Sequence, residues 1–86
     1  MDIENLIKNI KIKLLKNSLI QHIKIEDKTY LHIKHSSHDK NKFHLKVTIY
    51  SNDLKRMSKL EATKIINKIL ANEIKYYIHS IQLDIN

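Results

Sequence analysis

Apolar residues recur along the first seventeen positions at spacings of three and four: Ile3, Leu6, Ile7, Ile10 and Leu14, with Lys8, Lys11 and Lys16 between them. Each residue turns about 100° around an α-helix, so these spacings gather the apolar side chains into one stripe and predict a helix over Met1–Asn17. Asp2 and Glu4 stand at its start, where the helix dipole favours anions, and Asn17 and Ser18 follow its end. From Leu19 to Asp27 the period changes to two. Ile23 and Ile25 alternate with His22, Lys24 and Glu26, the pattern of a half-buried strand. A second alternating run sets Phe43, Leu45, Val47 and Ile49 against His44, Lys46, Thr48 and Tyr50. The polar stretch His32–Lys42 between the two runs predicts a hairpin with a long loop. Ser51, Asn52 and Asp53 supply the next turn, because their short polar side chains bond to nearby backbone.

Helical spacing returns from Ser58 to about Glu73, through Leu60, Ile65, Ile66, Ile69 and Leu70, and Ser58 with Glu61 three residues on has the form of a capping box. The last segment, Lys75 to Ile85, alternates again. Tyr77, His79, Ile81, Leu83 and Ile85 fall on one face and Tyr76, Ile78, Ser80, Gln82 and Asp84 on the other. The order is α-β-β-α-β. A strand–helix–strand unit closes through a right-handed crossover, which lays the last strand parallel to the second. The expected fold is a single α+β domain over residues 1–86, with a three-stranded mixed sheet and helices on one face.

Composition narrows the chemistry. The 86 residues include no Gly, Pro, Cys or Trp. Without glycine there is no phosphate-cradling loop, and without cysteine there is no disulfide, thiolate zinc site or thiol nucleophile. No apolar run approaches the roughly 20 residues that span a bilayer, and Met1 is followed by acidic residues rather than a basic lead, so a cytoplasmic protein with no membrane association is expected. The formal charge is +7, and fifteen of the sixteen cations are Lys. That balance suits a polyanionic partner, although a coding bias toward Lys, Ile and Asn produces the same excess.

Three features remain as candidate chemistry. His32, His35 and His38 are spaced by three within the polar stretch, and an irregular backbone can bring such rings together. Lys55, Arg56, Lys59, Lys64 and Lys68 gather around the start of the second long helix, a patch able to neutralise phosphates, as in a DNA-binding regulator. With one Arg, bidentate base reading is scarce, so any DNA binding is expected to be weak and salt dependent. His44 reads as a structural or surface residue. His79 shares strand parity with Ile81 and Leu83, and on spacing alone reads as a partly buried histidine. No serine–histidine–aspartate set or paired carboxylates meet on one face, so no enzyme is expected. Tyr76 and Tyr77 read as packing residues.

Three motifs, Asp27-Lys28-Thr29 with His32, Phe43-His44-Leu45-Lys46-Val47 with Ser51, and Ile78-His79-Ser80, together resemble the BolA-like family. Asp27-Lys28-Thr29 with His32 is similar to the family's Asp-Glu-Ser followed by a histidine. Phe43-His44-Leu45-Lys46-Val47 with Ser51 is similar to its Ser-His-Phe-Lys-Val run and terminal Ser. Ile78-His79-Ser80 is similar to its Val-His-Ala step, and from His44 to His79 the match needs no gap. Two motifs differ: Leu54-Lys55-Arg56 stands at the family's Phe-x-Gly and Ala62-Thr63-Lys64 at its Arg-His-Arg. The resemblance implies a KH-like arrangement and an adaptor that pairs with a monothiol glutaredoxin and shares a [2Fe-2S] cluster with it. The glutaredoxin and glutathione would supply thiolates and this chain nitrogen, from His79 and from His32 or His35. Cluster trafficking or iron-status signalling is the implied role, and transcription regulation the alternative. A Gly-x-x-Gly clamp of the KH type is absent. Alone, the chain is expected to be a monomer or weak dimer.

Overall fold

The computed structural model describes residues 2–31 and 42–86. The chain runs α1 (Ile3–Leu15), β1 (His22–Asp27), a 3₁₀ turn (Thr29–Leu31), β2 (Phe43–Tyr50), α2 (Asn52–Arg56), α3 (Lys59–Ile69), α4 (Ala71–Tyr76) and β3 (Ile78–Ile85). The three strands lie in the order β1-β2-β3, with β1 antiparallel and β3 parallel to β2. This is the expected mixed sheet.

Three of the four described helices, α1, α2 and α3, begin at a capping side chain. Asp2 caps α1, its Oδ1 accepting from the backbone N–H of Asn5 at 2.8 Å. Ser58 caps α3 by accepting from the N–H of Glu61 at 3.1 Å. Such caps satisfy donors that the first helical turn leaves open and stabilise by about 1 kcal/mol each. Several departures from the sequence pattern are seen, one being that Lys75 and Tyr76, expected in the last strand, belong to α4. Asn52–Arg56 forms a short helix where the composition reads as a turn, because Ser51 caps it through Leu54 N–H. The second long helix divides at Leu70, whose φ of −99° and ψ of 19° end α3 and start α4. The register of β3 shifts at its N-terminal end, as described below.

The core lies between the sheet and the helix layer. Leu6, Ile10 and Leu14 from α1, Ile66 and Leu70 from the α3–α4 region, and Val47 and Ile49 from β2 are almost fully buried. Burying one such side chain contributes roughly 1.5–3 kcal/mol relative to leaving it in water. Because β2 alternates, His44, Lys46 and Thr48 fall on the sheet face away from the helices. A second tie crosses the helix layer, where Lys13 Nζ reaches both carboxylate oxygens of the buried Glu73, at 2.9 and 2.7 Å. No described residue has a positive φ.

Ser51 is the junction of the fold. It is only 1% exposed. Its hydroxyl donates to the carbonyl of Leu19 while accepting from Leu54, and its backbone N–H donates to the carbonyl of Asn86 at 2.9 Å. One residue therefore links the α1–β1 connection, the end of β2, the start of α2 and the end of β3.

Candidate metal centre and flanking cationic groove

The pairing of β2 with β3 sets the site. Phe43 lies opposite Ile78, but the next residue, His44, lies opposite Ser80, and Leu45 opposite Ile81. His79 is thus an extra residue in β3, a bulge. Bulges re-aim a side chain that strict alternation sends elsewhere. Here Ile78 joins the core at 3% exposure, whereas His79 is exposed. The expected grouping of His79 with Ile81 and Leu83 on one face is therefore corrected: those two pack against the core and His79 does not.

The displaced imidazole lies against His44, with ring centroids 4.7 Å apart and the planes tilted by 42°. His44 is 5% exposed, and its Nδ1 is 2.7 Å from Ser80 Oγ. Its backbone is held as well. The N–H of His44 donates to Thr29 Oγ1 at 3.1 Å, and its carbonyl accepts from the N–H of Lys28 at 2.7 Å. Thr29 is in turn fixed by Asp27, whose Oδ1 accepts from both the Thr29 N–H and hydroxyl. The chain therefore enters residues 32–41 from a turn bound to the same residue that flanks His79.

Of the sequence candidates, His79 is placed at the exposed head of an edge strand. His32, His35 and His38 lie outside the described residues. Among the described residues no group of three or more His, Asp or Glu side chains converges in a metal-binding arrangement. His44, read from sequence as structural or surface, is buried and touches the ring of His79. Parallel pairing of the second and last strands brings these two histidines to neighbouring positions, but nothing in the sequence marks the bulge that brings the rings together.

The cationic candidates lie along the helix side of the sheet. Lys55, Arg56, Lys59, Lys64 and Lys68 are all exposed. Lys55 and Lys59 border a groove closed on its far side by Leu83, Asp84 and Ile85 of β3. A second groove, between α3–α4 and the start of β3, is lined by Asn67, Ile74, Ile78 and His79 among others. Arg56 approaches Asp53 at 3.7 Å, whereas none of the four lysines joins an ion pair among the described residues. Tyr77 packs against the core and Tyr76 is 56% exposed, with Lys75 Nζ 5.2 Å from its ring centre.

A BolA-like protein family model matches residues 15–86, most of the chain. The chain belongs to the BolA-like family. This BolA-like chain is similar to solved structures of the same fold. The BolA domain of SufE1 from Arabidopsis thaliana superposes with a TM-score of 0.74 at 24% identity, covering 92% of this chain and 87% of that one. BolA1 from Arabidopsis thaliana gives a TM-score of 0.77 at 24% identity over 96% and 92% of the two chains. A bol-like protein from Babesia bovis gives 0.69 at 15% identity over 99% and 84%. No curated protein sequence matches. No helix among the described residues is long and apolar enough to cross a membrane.

Proposed function

We propose that this BolA-like protein is an adaptor that docks on a monothiol glutaredoxin and completes a [2Fe-2S] cluster through His79. The observation that carries this reading is the bulge at residue 79, which keeps the imidazole exposed at the end of an edge strand while Ile78 takes the core position. The donor chemistry is compatible with the cluster. An exposed imidazole ligates iron through a neutral nitrogen, and a chain without cysteine leaves the thiolates to the partner and glutathione. Replacing thiolate by imidazole raises a cluster's reduction potential, which suits transfer or sensing.

The chain's own residues supply orientation. His44 limits the sweep of the His79 ring on one side, and Ser80 fixes His44. Outer contacts of this kind set the direction of a ligating histidine. On the family resemblance the second nitrogen is that of His32 or His35, both of which lie outside the described residues.

The test is to mix the protein with a cluster-loaded monothiol glutaredoxin and record visible absorption, circular dichroism and gel filtration. A changed spectrum with a co-eluting complex is expected. His79→Ala should remove the spectral change while leaving far-ultraviolet circular dichroism intact. An unchanged spectrum with no complex overturns the reading.

A further inference from the structure

Two shallow grooves, of about 350 and 480 Å³, run along the outer side of β3. Thr63 and Leu83 border both, so they form one trough from the C-terminal end of the strand to His79. One end is apolar, with Ile74, Ile78 and Ile81. The other carries Lys55 and Lys59, and Lys64 and Lys68 stand exposed one residue beyond the trough-lining Thr63 and Asn67.

The strand that forms its wall is an edge. Among the described residues, the backbone of β3 hydrogen-bonds only toward β2 and its flanks. Sheets protect such edges with proline, lysine, a bulge or a covering element. β3 has its bulge at residue 79, but from Ser80 to Ile85 it has neither proline nor lysine, and its one charge, Asp84, approaches Lys46 at 3.6 Å. An unprotected edge beside a trough can accept an added strand, whose main chain supplies affinity and whose alternate side chains fill pockets.

We propose that this trough receives an extended acidic peptide from a partner protein, added to β3 as a fourth strand. An apolar side chain of the peptide lodges beside Ile74 and Ile78, and carboxylates meet Lys55 and Lys59. Charge complementarity selects the acidic class, since the lysines have no acidic partner among the described residues. A single-stranded nucleic acid fits less well. Its bases stack on aromatic side chains, and among the described residues the one aromatic ring lining the trough is that of His79 at one end. This inference does not depend on the cluster.

Two dye-labelled peptides test it in fluorescence anisotropy at physiological salt: acetyl-Val-Thr-Val-Thr-Glu-Thr-Glu-amide and the reversed order, which together cover both strand directions. Twelve-residue oligothymidylate and the same peptides with Lys for Glu serve as comparisons. One acidic peptide is expected to bind, amides between Ser80 and Ile85 to exchange more slowly with deuterium, and Lys55→Glu with Lys59→Glu to weaken binding at least tenfold. The two substitutions are on the surface, and an unchanged melting temperature checks that the fold persists. The proposal is overturned by no binding of either acidic peptide at millimolar concentration. Binding without slowed exchange at β3, or preference for oligothymidylate, also overturns it. So does a dimer in sedimentation that already protects this edge.

Discussion

The ring of His79 rests on that of His44, centroids 4.7 Å apart, because one extra residue in β3 moves His79 out of the alternation that its neighbours follow. His44 is buried and bound to Ser80, so it behaves as a fixed wall for an exposed neighbour. Replacing it with alanine removes a buried ring and a hydrogen bond. His44→Ala is expected to lower stability by roughly 1–3 kcal/mol, read from the urea midpoint at constant slope. In the glutaredoxin mixture the complex should still form, but the visible circular dichroism of the cluster should change shape, because the direction of the His79 ring is no longer limited.

Ser51→Ala tests the junction of the fold. The substitution removes the α2 cap and leaves the carbonyl of Leu19 without its hydroxyl donor. The expected loss is about 1–3 kcal/mol. Ser51→Thr should recover part of it. A loss below about 0.5 kcal/mol in urea denaturation would show that the junction carries little energy.

Lys13→Met should destabilise more than Glu73→Gln. The first leaves a buried carboxylate without its cation, whereas the second leaves a neutral amide that still accepts a hydrogen bond. Because Lys13 is itself 37% exposed, water takes up part of the difference, and about 1–2 kcal/mol is expected between the two variants. Equal unfolding midpoints contradict this ordering.

Ile66→Ala removes most of a side chain that is 1% exposed in the helix layer. A cost of roughly 2–5 kcal/mol is expected. Leu60→Ala, on the same helix but 64% exposed, should cost less than about 0.5 kcal/mol. Thermal unfolding of the pair separates core burial from helix propensity, because both replacements introduce alanine into α3.

The helices and strands are legible in the sequence wherever a long apolar pattern meets a capping side chain. α1 follows the spacing of Leu6, Ile10 and Leu14, and α3 starts at Ser58 as its cap predicts. The alternation of Leu45, Val47 and Ile49 marks β2 as a strand, and the pairing sets it in the middle of the sheet. Local features set by tertiary pairing are not legible. The break at Leu70 and the helix at Asn52–Arg56 are too short for periodicity to register. The bulge depends on how β3 meets β2, a long-range fit with no local sequence marker, and it decides the environment of His79. The lysine cluster is visible in the sequence, but its position beside an unpaired strand edge emerges only once β3 is seen at the margin of the sheet.

Every described residue keeps a negative φ, and the side chains of Asp27, Ser51 and Ser58 close turns and caps there without an achiral residue. A chain free of glycine also explores fewer conformations when denatured, so it gives up less disorder on folding. The same feature makes the backbone permissive for protein engineering. No site in the described chain carries the stereochemical veto that a left-handed position imposes on side chains, and loop redesign is constrained mainly by the bonds of Asp27, Ser51 and Ser58.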